Sequence, residues 1–269
     1  MLEIVSRNLV NEIDVTVFSK DDSRIALIDA DSMLYYSLKA DTSFDDIKLG
    51  FDKFVISILS QTKCSTYAGF FTDSKAVFRK DISKTRPYKG NRTGRETPVL
   101  FYALKAYAQR FWGFYELAPL EADDLVALYS SAESTICSPD KDVLKQISGK
   151  HYNYQKNDFV ITSESEAREF LWLQAIAGDS VDGIPGVPGA GMKTAEKALL
   201  DIFSDDFPLQ VLKLYLEIPG ITEKVAIDRF KETFDLVYVL RNSADLERLG
   251  ITLPPIQKHH ILEKLELWG

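Results

Sequence analysis

Nine carboxylates in this sequence fall in spaced sets: Asp29, Asp73, Glu121, Asp123, Asp124, Asp140, Asp142, Asp179 and Asp182. Glu121 and Asp124 are three apart and share a helix face, with Asp123 beside them. Asp140 and Asp142 are two apart, and Asp179 and Asp182 three apart. So many carboxylates in one pocket cannot all stay ionised unless cations neutralise them. Hard oxygen donors suit Mg²⁺ or Mn²⁺. Each set alone has a plainer reading: acids in a first helical turn favour the dipole, and the EADD run serves equally as a helix cap. Together with the two strand-end aspartates, Asp29 and Asp73, they point to a metal centre. The formal charge is −8, from 32 basic and 40 acidic residues; setting the nine acids aside leaves +1, a balance that permits approach to a polyanion. The three histidines, His151, His259 and His260, lie near no suitable Ser or Cys motif, which argues against a Ser–His or Cys–His nucleophile. Metal-activated water is then the fitting nucleophile.

The cations are concentrated too. Between Arg79 and Arg95 stand Arg79, Lys80, Lys84, Arg86, Lys89, Arg92 and Arg95 against the single acid Asp81. Tyr88 within it could stack on a base. A solvated charged loop is the simpler alternative. Further on, Gly183, Gly186, Gly189 and Gly191 fall within nine residues, with Pro185 and Pro188 between them. Helical patterns flank this turn. Such an arrangement suits backbone contact with phosphate, because glycine permits close approach and the second helix starts with free N–H groups. Lys193 and Thr194 stand at that start. A Walker A loop is excluded, since Lys193 follows Met192 rather than glycine.

The elements that would position these groups alternate. RIALIDAD, TYAGFFTD, GFYELAP and STICSPDKD read as strands, three of them ending in acids. Helical patterns begin at SMLYYSLKA and cover Asp45–Gln61, Thr97–Phe111 and the EADDLVALYSSA run. HYNYQ and DFVIT read as a hairpin around Lys156-Asn157. The pattern predicts an α/β fold with a mostly parallel sheet flanked by helices, Asp29, Asp73 and Asp140 sharing the carboxyl edge where such sheets build their sites. Residues 1–23 read as an irregular or hairpin-like extension, with a short strand at Asp14–Phe18. After residue 163 the pattern is helical. His259-His260 reads as a surface pair rather than a ligand pair. No run of about 18 apolar residues occurs and the first residues carry charges throughout, so neither a membrane span nor a signal peptide is expected. Cys64 and Cys137 are too few for a disulfide framework or a structural zinc site, which suits a reducing cytoplasm.

Six stretches, LIDAD (27–31), GFFTD (69–73), RPYKGNR (86–92), LEADDLVA (120–127), SPDKD (138–142) and GDSVDGIPGVPGAGMKTA (178–195), occur in the order seen in one family. The chain resembles the 5′–3′ exonuclease and flap endonuclease family, in the branch of bacteriophages and of the N-terminal nuclease domain of bacterial DNA polymerase I. The resemblance covers residues 24 to about 200. It implies a PIN-like catalytic region over 24–163, with a basic helical arch at 79–111. It also implies a helical DNA-binding region over 164–269, of helix-hairpin-helix type, with the glycine hairpin at 183–191 and packed on the first as one unit. It implies phosphodiester hydrolysis with two Mg²⁺ (or Mn²⁺) ions in DNA replication or repair. Asp29, Asp73, Glu121, Asp123 and Asp124 match the ligands of the first ion. Asp140, Asp142, Asp179 and Asp182 match those around the second, and Asp123 or Asp124 is placed to bridge. Lys89 and Arg92 match the catalytic cations beside the scissile phosphate. Arg86, Tyr88, Gly186, Gly189, Gly191, Lys193 and Thr194 fall among the DNA-binding positions, with K⁺ at the glycine hairpin. The implied partners are DNA with 5′ flaps, 5′ ends or branched junctions, RNA–DNA hybrids, and replication proteins such as a single-strand binding protein, met by a monomer. Residues 1–23 have no counterpart in this pattern. Asp31 is an additional acid that either joins the site or faces away.

Three other readings compete. A PIN-type ribonuclease shares the acids but lacks the glycine hairpin. A non-catalytic DNA-binding module keeps the hairpin but has no use for nine acids. A DxD phosphatase accounts for Asp29-Ala-Asp31 and leaves the basic stretch and the hairpin unexplained.

Overall fold

In the computed structural model, residues 18, 24–38, 42–92, 94 and 96–266 are described. The reading of residues 1–23 therefore lies outside the described residues, apart from Phe18, whose side chain is buried in the main core. Strand β1 (Ile25–Asp29) is buried at every position. It pairs in parallel with β2 (Thr66–Phe71) on one side and β4 (Ser134–Cys137) on the other. Ala26 and Ile28 enter one core; Ile25 and Leu27 enter the core on the opposite face. That two-sided burial is why the strand reads as an unbroken apolar run.

The sheet order is β3 (Tyr115–Glu116), β2, β1, β4, β5 (Gly149–Asn153), β6 (Asp158–Thr162). The first three strands step outward in one direction. The chain then returns past β1 to lay down β4. The strand order therefore reverses between β1 and β4, and the carboxyl ends there form the crevice where open α/β sheets place ligands. The hairpin β5–β6 is antiparallel, and Asn157 in its turn takes a positive φ of 53°.

Helix α1 (Asp31–Ser37) starts directly after β1. Helix α2 (Phe44–Thr62) is capped by Ser43, whose hydroxyl accepts the Asp46 N–H at 3.2 Å. It buries Ile47, Phe51, Val55, Ile58 and Leu59 along one stripe. Helix α3 is Phe78–Ile82. The helix read over Thr97–Phe111 is shorter at its start: α4 spans Phe101–Tyr107, continuing as a π turn over Ala108–Trp112. Pro98 disfavours helical backbone at Thr97, so the helix begins only after the turn it makes. The π turn seats Trp112 with its indole N–H donating to Asp52 at 2.7 Å. Helix α5 (Ala122–Leu128) lies over β1 and β2, and α6 (Lys141–Gln146) follows β4.

Beyond residue 163, α7 (Glu164–Ala177), α8 (Met192–Leu199), α9 (Phe207–Leu216) and α10 (Glu223–Val237) enclose a separate core of Trp172, Ile176, Leu199, Val211 and Tyr215. After α11 (Ser243–Leu249) the chain returns to the sheet. There β9 (His259–His260) pairs antiparallel with Thr66–Tyr67, ahead of α12 (Ile261–Glu266). The two histidines are thus half-buried at a sheet edge, with the His259 ring 5.7 Å from that of Tyr67. Among the described residues no helix is long and apolar enough to cross a membrane.

Candidate active site

Asp29 ends β1 inside the crevice. Its carboxylate accepts the Ser138 hydroxyl at 2.7 Å and the Asp31 N–H at 3.3 Å. Burial, then the charges of Asp31 and Asp140, push its pKa up to about 7. Asp123, in the first turn of α5, is raised well above the ordinary carboxylate range by burial and then by Asp29 and Asp140, against the pull of Lys89. Asp140 caps α6 by accepting the Asp142 N–H at 2.7 Å. The switch point therefore holds Asp29, Asp31, Asp123 and Asp140 in one electrostatic group. Asp31, undecided from sequence, belongs to it: its carboxylate accepts the Thr72 N–H at 2.9 Å, and burial raises its pKa.

A second acidic group adjoins the first. Asp142 is pushed up to about 7 by burial and by Asp140 and Asp179, with Gln174 donating to it at 2.8 Å. Asp179 is buried on β7 (Gly178–Asp179), where it meets the Lys141 ammonium at 3.0 Å. Asp182 meets Arg92 at 2.7 Å and Lys89 at 3.5 Å.

The glycine hairpin begins as β7 pairs with β8 (Ile184–Pro185). Two glycines are required by contact. A Cβ on Gly186 would stand 2.2 Å from the Ile176 carbonyl oxygen, and one on Gly178, at φ +69°, would stand 2.4 Å from the Gly186 nitrogen. Gly189 and Gly191 face open space, and Lys193 and Thr194 are exposed at the start of α8. A cavity of about 470 Å³ runs between this hairpin and Thr85, Arg86, Arg229 and Thr233.

No protein-family model matches the chain. It is 31% identical over 204 residues to the DNA polymerase I of Rhizobium leguminosarum, covering 70% of this chain and 19% of that protein. It is 31% identical over 145 residues to the 5′–3′ exonuclease of Buchnera aphidicola, covering 46% of this chain and 49% of that one. The backbone matches the bacteriophage T5 D15 protein co-crystallised with metal ions, with a TM-score of 0.62, 18% identity, and coverage of 80% of this chain and 89% of that one. The chain is thus related in sequence to bacterial DNA polymerase I and 5′–3′ exonucleases, and it shares its fold with the T5 protein. It spans about a fifth of the polymerase and about half of the exonuclease.

Against this fold, the nine acids divide. Asp29, Asp123, Asp140, Asp142, Asp179 and Asp182 line the crevice or its immediate flank. Asp124 does not. It is fully buried and paired in two-pronged fashion with Arg79, at 2.7 and 2.8 Å. It also accepts the N–H groups of Glu121 and Leu240. Its lone pairs are committed to holding the fold. Glu121 is committed in the same way, to Lys89 at 2.6 Å, Arg79 at 2.8 Å and the Tyr88 hydroxyl at 2.9 Å. Burial opposes its charge, but Lys89 and Arg79 outweigh it and hold its pKa down at about 2. Asp73 follows β2 as expected, yet its carboxylate turns into its own loop to accept the Lys75 N–H at 3.0 Å. Asp31 meets Asp29 instead. Among the described residues no three acids stand close enough together to hold one ion.

One further correction concerns the basic stretch, whose first residue, Arg79, is buried. Tyr88 cannot stack on a base: only 7% of it is exposed, its ring packs among Val77, Leu171, Ile184, Leu236 and Val237, and its hydroxyl is used by Glu121. The apolar neighbours of a lone Tyr in a charged loop are distant in sequence, so nothing local signals this. Arg86 is exposed, Arg92 half so. Gly186 is accounted for by packing within the hairpin, whereas Gly189 and Gly191 are open to a ligand.

Proposed function

We propose that this chain is a divalent-metal-dependent 5′ nuclease that hydrolyses DNA phosphodiesters at 5′ ends, 5′ flaps and single-strand/duplex junctions. The observation that carries the reading is the electrostatic group of Asp29, Asp123 and Asp140 at the topological switch point, with Lys89 beside it and the glycine hairpin adjoining. The donor chemistry of these residues suits Mg²⁺ or Mn²⁺, and binding an ion would require the acids to draw closer together. They offer hard carboxylate oxygens, and burial first, then neighbouring acids, raises the pKa of Asp29, Asp123 and Asp142, so a bound cation would favour their charged forms. Asp29, Asp123 and Asp140 would hold one ion, with Asp31 in reach; Asp142, Asp179 and Asp182 would hold a second beside Asp140. Such ions supply a nucleophile at neutral pH and offset the charge of the phosphate.

The chain's own groups do the rest. Lys89 and Arg92 face the acids from the basic stretch and would orient the scissile phosphate. The open turn at Gly189 and Gly191, with Lys193 and Thr194, would hold duplex phosphates, and K⁺ at this turn belongs to the same reading. Water adds to phosphorus and the bond to the 3′ oxygen breaks, leaving a 5′-phosphate and a 3′-hydroxyl. The division into a catalytic region (24–163) and a DNA-gripping region (164–269) belongs to this proposal, as do action on RNA–DNA hybrids and association with replication proteins. The glycine hairpin favours it over a PIN-type ribonuclease. A 5′-labelled flap, a single-stranded RNA and a phosphomonoester, each with and without Mg²⁺, test it. The flap is cut only with the metal; cleavage that persists undiminished in excess EDTA refutes the reading.

The cationic side separates into grip and chemistry. Lys193→Ala weakens duplex binding and lowers the salt slope by roughly one unit. Lys89→Ala lowers the single-turnover rate by about 10²-fold or more, since it removes a cation beside the reacting phosphate. Salt-dependent affinity and single-turnover cleavage, measured on both variants, check the division. Wild-type behaviour in both would mean that Lys193 is only a solvated charge and that Lys89 serves only as the partner of Glu121.

A further inference from the structure

The basic stretch and the glycine hairpin are far apart in sequence, yet one helix holds both. Glu232, on α10, accepts the backbone N–H groups of Lys84 at 2.6 Å and Thr85 at 2.7 Å on one oxygen. Its other oxygen accepts the Thr85 hydroxyl at 2.6 Å. The next residue, Thr233, donates its hydroxyl to the Pro185 carbonyl at 2.8 Å. Consecutive residues of one rigid helix thus clamp the two sides of the 470 Å³ cavity, which Arg86 and Gly189 also line. A carboxylate that accepts three hydrogen bonds is a strong tether. Four residues beyond Thr85, the Lys89 N–H is fixed again, by the Asp182 carbonyl at 2.8 Å.

We propose that Glu232 is a positioning residue that sets the distance between the basic stretch and the glycine hairpin, so that one DNA molecule engages both at once. This rests on the nuclease reading above. Glu232 itself, a negative charge, is not a contact for phosphate. Its effect is geometric: loss of the clamp frees residues 84–86 and spoils the alignment of Arg86 and Lys89 with the hairpin, while the hairpin keeps its own grip on duplex. Linking two sites rigidly raises the effective concentration of one for a ligand held at the other.

The test compares Glu232→Ala with Glu232→Gln. Glutamine preserves all three contacts, because its oxygen still accepts both N–H groups and its amide can donate to a reversed Thr85 hydroxyl. In EDTA, where no cleavage occurs, Glu232→Ala binds plain duplex within about twofold of wild type but binds a 5′-flap DNA about tenfold more weakly. Amide hydrogen exchange at Lys84 and Thr85 quickens about tenfold or more. Glu232→Gln stays close to wild type in all three. If both variants bind DNA more tightly, Glu232 acts only as a repelling charge and the proposal falls. It falls equally if Glu232→Ala weakens duplex and flap binding alike, which marks a general structural role, or if glutamine fails to rescue. Failure of the wild type to cut the flap with Mg²⁺ would instead overturn the nuclease reading on which the proposal stands.

Discussion

An Asp123→Asn variant is expected to cleave a 5′-flap DNA about 10³-fold more slowly than wild type in a single turnover, while binding that DNA within about twofold in EDTA. Asp123 is the acid of the α5 run that the structure leaves unpaired. Its neighbours Glu121 and Asp124 are both held by Arg79, whereas Asp123 meets Asp29 and Asp140. Asparagine keeps the shape and removes the charge that would hold a divalent cation. Losing about 4 kcal/mol of electrostatic stabilisation corresponds to a thousandfold in rate. Asp140→Asn and Asp179→Asn should follow the same pattern, because the proposed phosphate contacts lie on the basic stretch and the hairpin. Asp124→Asn should differ in kind, lowering folding stability. Single-turnover cleavage and fluorescence-anisotropy binding on the four variants check this. A near-wild-type rate for Asp123→Asn would remove it from the centre, and collapse of metal-free affinity would show that grip and chemistry are not separate.

That contrast between Asp123 and Asp124 shows where sequence reasoning stops. The strands were legible because β1 and β4 are buried on both faces, so apolar runs ending in acids mark them. The crevice followed from strand-end acids and the carboxyl-edge rule. Which acid of an adjacent pair faces the crevice was not legible, since the decision belongs to Arg79, 45 residues away from Asp124. Asp31 and Asp73 exchanged places for a similar reason. Asp31 starts α1 and turns across to the Thr72 N–H, whereas Asp73 is drawn into its own tight turn. A tyrosine among cations resembles a stacking platform until, as for Tyr88, its packing against Leu171 and Leu236 is seen. The clamp by Glu232 had no local signature at all, being a contact across 147 and 148 residues.

Replacing Arg79 with methionine is expected to cost about 3–5 kcal/mol of folding stability, the range for removing one partner of a buried ion pair. All five guanidinium N–H donors are used: Nε to the Leu236 carbonyl, one terminal nitrogen to Glu121 and Asp124, the other to Asp124 and the Tyr238 carbonyl. Arg79 therefore joins α3, the start of α5 and the end of α10 at one point. Methionine fills most of the volume but leaves the Asp124 carboxylate, fully buried, without its counter-charge. Glu121 is less exposed to this loss, because Lys89 and the Tyr88 hydroxyl remain with it. The double variant Arg79→Met with Asp124→Leu should therefore recover part of the stability, since it removes the orphaned charge together with its partner. Urea unfolding of the wild type, the single and the double variant measures the three free energies, with unchanged m-values confirming that the same structure is being unfolded. A single variant within about 1 kcal/mol of wild type would mean that water reaches Asp124 and that the five-bond clamp contributes little. A double variant less stable than the single would mean that the Asp124 contacts to Glu121 and Leu240, rather than its pairing with Arg79, hold α5 in place.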